Sequence, residues 1–89
     1  SGAEPLVKTF KVSPNPNNGE FEIEVGLATV SEIELLMVDT QGSKDVLKKV
    51  LTGSDSYSIK VVHTDLISGV YILRLSAGRE SRFFRVFVR

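Results

Sequence analysis

Between Gly69 and Gly78 the chain carries Val70, Tyr71, Ile72, Leu73, Arg74, Leu75, Ser76 and Ala77. This run is dominated by branched and aromatic residues that suit a pleated, half-buried surface. A strand turns alternate side chains to opposite faces, so Tyr71, Leu73, Leu75 and Ala77 share one apolar face. Val70, Ile72, Arg74 and Ser76 share the other. No other stretch of the sequence has so long an apolar face so clearly bounded. Gly78 provides the turn that sends the chain back as residues 82–89. The pattern predicts a central strand, with the rest of the chain arranged to cover its Tyr71 face.

The remaining segments show the same two-residue period. Residues 10–12 form a short first strand after a lead-in over 3–9. Residues 13–19 (Ser-Pro-Asn-Pro-Asn-Asn-Gly) are a rigid turn, because proline cannot donate to a ladder and restricts the residue before it. In 19–25, Phe21, Ile23 and Val25 point one way, and Glu20, Glu22 and Glu24 point the other. A loop at 26–31 leads to a second alternating run at 32–38, built on Ile33, Leu35 and Met37. A turn follows from Asp39, including Gly42. Residues 45–51 fit either a helical turn or an edge strand, and Lys48 and Lys49 favour the edge, where lysine discourages unwanted pairing. A loop at 52–56 and the alternation of Tyr57, Ile59 and Val61 complete the middle of the chain. In 82–89, Phe84, Val86 and Val88 form one set, and Phe83 and Phe87 alternate with Arg85 and Arg89 on the other face. Seven short strands separated by regular turn signals predict an all-β antiparallel sandwich.

Few functional classes fit this inventory. With 89 residues the chain is one domain, and it has no cysteine and no tryptophan. A net charge of zero argues against nucleic-acid binding. The halves nevertheless differ: two lysines against seven carboxylates give −5 over residues 1–43, and nine basic against four acidic residues give +5 over 44–89. Early and late strands that become neighbours can pair these charges. The Glu20–Glu22–Glu24 row is what an amphipathic strand presents to water. His63 is the only histidine and has no cysteine to join it, so no zinc site is expected. Ser68, His63 and Asp65 lack the spacing of a nucleophile elbow. The turn at 13–19 offers amides and carbonyls without the alternating carboxylates of a calcium loop. No catalytic residue, cofactor or metal is expected.

Three motifs stand in fixed order: Val12-Ser13-Pro14-Asn15-Pro16 followed by Gly19-Glu20-Phe21-Glu22-Ile23, then Val38-Asp39-Thr40-Gln41-Gly42, then Asp65-Leu66-Ile67-Ser68-Gly69-Val70-Tyr71-Ile72-Leu73. With a basic, apolar last strand, the chain resembles the C-terminal sorting domain of proteins exported by the type IX (Por) secretion system of Bacteroidetes. The resemblance covers residues 10–89, and Ser1-Gly2 and the following residues to 9 read as a cloning scar and linker. It implies a seven-stranded, immunoglobulin-like β-sandwich that serves as an address for an upstream cargo domain in the same chain. Its implied partners are the outer-membrane translocon and a sortase-type signal peptidase. The implied destination is the cell surface or the exterior, reached through the periplasm and outer membrane.

The family positions carried by this sequence are Pro14, Asn15, Pro16, Gly19, Asp39, Gly42, Gly69 and Tyr71. The last strand departs from the lysine-and-aliphatic pattern common in the family by using phenylalanine and arginine. Translocon recognition is assigned here to Arg82, Phe83, Arg85, Phe87, Val88 and Arg89, and weak self-association through the same strand is a further expectation. The competing reading is an adhesive or carbohydrate-binding sandwich. Two tyrosines and no tryptophan give that reading little aromatic platform.

Overall fold

Each alternating run lies in a strand, but two pairs of runs are continuous with one another. In the computed structural model, which describes residues 5–40, 44–63 and 65–89, the strands are β1 (Val7–Ser13), β2 (Glu20–Asp39), β3 (Asp45–Val62), β4 (Gly69–Ala77) and β5 (Glu80–Val88). The described residues form five strands, not the expected seven. The expected loops at 26–31 and 52–56 belong to β2 and β3. Ala28, Thr29 and Val30 are exposed, so no core-facing alternation marks this stretch, yet the backbone stays extended. β2 pairs with β3 on either side of it, with register shifts between Gly26 and Ser31 and between Ser31 and Ile33, which is how a long strand bends without ending. The Tyr57 hydroxyl fastens the bend, donating to the Ser31 carbonyl (2.8 Å) and accepting from the Ser54 amide (3.1 Å).

The bend divides one antiparallel sheet into two halves. The first half of β2 lies between β1 and the second half of β3. Its second half lies between the first half of β3 and β4, and β5 flanks β4. Parity survives the bend: Phe21, Ile23, Val25, Leu27, Ile33, Leu35 and Met37 are all buried. The sheet therefore curls around a single core, which also takes in Val7, Val12, Ile59, Val61, Val86 and Val88. Each fully buried leucine, isoleucine or methionine contributes roughly 1.5–3 kcal/mol over its exposed state.

β4 is central, as its composition predicts, and Tyr71, Leu73, Leu75 and Ala77 are buried in it. The Tyr71 hydroxyl donates to the Ile67 carbonyl at 2.6 Å. Residues 45–51 are strand, and among the described residues β3 pairs with β2 alone, which makes it the expected edge. β1 starts at Val7, earlier than the predicted residue 10. At the β4–β5 turn, Ala77 faces Glu80 and Gly78 sits at φ +60°, a conformation that side-chain-bearing residues rarely adopt.

β1 and β5 meet along a seam that closes the curl. The Glu80 carboxylate accepts the backbone amides of Leu6 and Val7, the latter at 2.9 Å. Phe10 and Phe84 meet edge to face with centroids 5.6 Å apart, a geometry that directs the positive ring edge at the negative face. Asn17 forms a parallel bridge with Val88.

Candidate recognition surface

Burying one face of β4 and β5 leaves the other outside. Register sets Val70 beside Phe87, Ile72 beside Arg85 and Arg74 beside Phe83 on that outer face. On β2, Val38 and Leu36 continue it beside Ile72 and Arg74. Phe83 is 66% exposed and Phe87 43%, with the exposed Arg85 between them. Arg74 is tied to Glu34 at 3.6 Å, an ion pair between the acidic early half of the chain and the basic late half.

The outer face of the other half-sheet is different. Glu20, Glu22 and Glu24 are exposed there as expected, with Lys11 opposite Glu24 and Lys60 opposite Glu22. Ser58 donates to Glu22 at 3.2 Å. One outer face is thus polar, with two of its three carboxylates opposite a lysine, and the other is apolar and carries excess arginine.

Of the strand residues singled out from sequence, Arg82, Phe83, Arg85, Phe87 and Arg89 are exposed. Arg82 lies 3.6 Å from Glu80. Val88 is 5% exposed and packs in the core with Val86, so it supports the strand from beneath and is not part of its surface. Its parity with Phe84 and Val86 already pointed inward.

The motif positions gather at one end of the sheet. Asp39 pairs with Tyr71, Gly69 pairs with Val88, and the turn carrying Pro14, Asn15, Pro16 and Gly19 bridges to Val88 through Asn17. Gly42 lies outside the described residues. The Ser13–Pro14 and Asn15–Pro16 peptide bonds are cis, and Gly19 adopts φ +104°.

Asn17, which sequence reasoning passed over, organises this turn. It is buried, donates from Nδ2 to the Pro14 carbonyl (3.1 Å) and accepts the Gly19 amide on Oδ1 (2.9 Å). The turn then docks on the outer edge of β5. Asn15 Nδ2 donates to the Arg85 carbonyl (2.8 Å), and Asn15 Oδ1 accepts the Phe87 amide (2.9 Å). The Asn17 amide donates to the Phe87 carbonyl (2.9 Å), and the Arg89 amide donates to the Asn17 carbonyl (2.8 Å). The turn therefore does more than join β1 to β2: it stands where a neighbouring strand would stand.

Among the described residues, no group of three or more histidine, aspartate or glutamate side chains is placed to hold a metal ion. The resources on this surface are hydrophobic contact, arginine charge and backbone hydrogen bonding, which suit binding. In comparison with known proteins, the family model for the secretion system C-terminal sorting domain matches residues 11–89. No curated protein matches the chain.

Proposed function

The chain belongs to the C-terminal sorting domains of the type IX secretion system, and from that membership we propose that it works as a non-catalytic address read on the outer face of β5. It directs an upstream cargo through the outer-membrane translocon. Removal by a sortase-type peptidase and attachment of the cargo at the cell surface follow. Residues 10–89 form the sorting unit, with Val7–Thr9 extending its first strand.

One observation carries the choice of surface: Phe83 and Phe87 stay exposed on either side of Arg85 while their neighbours Phe84, Val86 and Val88 turn inward. Large apolar side chains grouped on a surface mark an interaction site more often than a neutral feature. Aromatic and arginine residues are the types that dominate binding energy at interfaces. Arg89 extends the positive charge on that face, and Arg82, exposed on the opposite parity and 3.6 Å from Glu80, adds charge at the start of the strand.

An immunoglobulin-like arrangement is the architectural part of the same reading. Its support is that β1, the first half of β2 and the second half of β3 group apart from the first half of β3, the second half of β2, β4 and β5. The Tyr71–Ile67 hydrogen bond near the start of β4 has the form of the tyrosine corner found in such sandwiches. On this reading, β2 and β3 each serve both layers.

The test is a secreted fluorescent reporter fused ahead of the domain in a bacterium with a type IX system. Phe83→Ser/Phe87→Ser is expected to keep the wild-type circular dichroism and to hold the reporter in the periplasm. Normal export of the double variant would remove this face from the signal.

A further inference from the structure

The outer edge of β5 is already bound to something strand-like. Asn15 offers its side-chain amide as a peptide group would, giving one hydrogen bond to the Arg85 carbonyl and taking one from the Phe87 amide. Asn17 continues the ladder with its own backbone, to Phe87 and Arg89, in the parallel sense. Both the amide and the carbonyl of Phe87 point away from β4, and pairs alternate along an antiparallel ladder. Phe83 and Arg85 therefore present their amides on the same edge. Among the described residues nothing meets those two amides, because the Glu80 clamp on Leu6 and Val7 lies at one end of β5 and the turn at the other.

We propose that the edge from Arg85 to Arg89 is a strand-binding site that the Pro14–Asn17 turn occupies in cis, and that its ligand in trans is an extended segment alternating carboxylates with apolar side chains. Chain geometry and charge set that chemistry. A strand added here points alternate side chains toward Val86 and Val88 on the core side and toward Arg85, Phe87 and Arg89 on the outer side. Apolar groups fit the first set. Carboxylates fit the arginines of the second, since opposite charges on neighbouring strands attract and like charges repel. A second copy of β5 would bring Arg82, Arg85 and Arg89 against their own kind, so self-pairing is the poorer match. Turn and ligand use the same four backbone groups and exclude one another, and strand addition of this kind draws its affinity from those groups. The site uses the edge of the strand whose outer face is assigned to sorting and shares Arg85, Phe87 and Arg89 with that face, but its test makes no use of export, so the two readings fail separately.

Residues 19–25 of this chain, Gly-Glu-Phe-Glu-Ile-Glu-Val, have the required pattern and serve as the probe when synthesised as a labelled peptide. Fluorescence anisotropy with the folded Asn15→Ala domain is expected to show binding at least about tenfold tighter than with wild type. The same peptide with lysine in place of each glutamate is expected to bind neither protein. Equal binding of the glutamate peptide to both proteins, or equal binding of the lysine peptide to the variant, would overturn the proposal. If Asn15→Ala does not fold, Asn15→Asp takes its place: it loses the donor to Arg85 and keeps the acceptor for Phe87, and the same comparison decides. Wild type alone gives an independent reading. The amides of Phe87 and Arg89 are expected to exchange hydrogen at least about tenfold more slowly than those of Phe83 and Arg85. Equal rates would mean that the turn does not occupy the edge in solution.

Discussion

The Glu80 carboxylate accepts the amide hydrogen of Val7 at 2.9 Å, across 73 residues of sequence. With the Leu6 amide on its other oxygen, this one side chain ties the start of the first strand to the last hairpin. The Val7 amide first, then the Leu6 amide, hold the Glu80 pKa below its ordinary value; desolvation opposes them more weakly, and the nearby Arg82 adds the smallest lowering effect.

A depressed carboxylate pKa stabilises the folded state at pH values above the unfolded pKa. That stability is lost as pH falls through the folded pKa, because the unfolded chain takes up the proton more readily. Glu80→Gln removes the titration. Wild type is expected to exceed the variant in urea midpoint at about pH 7, and the two curves are expected to converge toward about pH 3. A constant difference across that range would mean that charge plays no part in the clamp.

Tyr71 separates two contributions of the central strand. Tyr71→Phe keeps the ring and loses the bond to Ile67, for an expected cost of about 1 kcal/mol. Tyr71→Ala empties a buried site and is expected to cost about 3–5 kcal/mol, a large share of the roughly 5–10 kcal/mol of a small domain. Urea unfolding of both variants checks the order. A Tyr71→Ala curve that overlays wild type would remove Tyr71 from the core.

Asn17→Ala is expected to cost about 1–3 kcal/mol, because the Gly19 amide and the Pro14 carbonyl lose their partner where Asn17 and Gly19 are buried. Its distinguishing effect lies elsewhere in the chain. Hydrogen exchange at Arg89 is expected to accelerate in the variant, since the Asn17 carbonyl is what accepts that amide. Unchanged exchange at Arg89 in a destabilised variant would uncouple the turn from β5.

The period-two pattern made most of the fold legible. Phe21, Ile23, Leu35, Tyr71, Leu73 and Leu75 are buried together, as their spacing predicts. What the pattern concealed was continuity. At the bends the small and polar residues Gly26, Thr29, Thr52, Gly53 and Ser54 read as loops, yet the backbone hydrogen bonds that keep a strand extended leave no mark on side-chain identity. The same gap in the signal hid the docked turn. Phe83 and Phe87 could be placed outside by parity with Phe84 and Val86. No period connects Asn15 to Arg85 and Phe87, because an amide side chain that stands in for a strand is specified by three-dimensional proximity alone. The proline turn and the terminal strand lie some seventy residues apart in sequence, and they are in direct contact.

The seam between β1 and β5 runs parallel, with Leu6 beside Glu80 at one end and Asn17 beside Val88 and Arg89 at the other. Tension applied upstream of Leu6 and resisted at Arg89 would pull along this seam and not across it. In that loading geometry the Glu80 clamp, the Phe10–Phe84 contact and the asparagine bonds share the force at once, whereas a hairpin pulled open from its end gives up its bonds one after another. A load on the upstream chain would therefore meet a mechanical latch, one that yields all together or not at all.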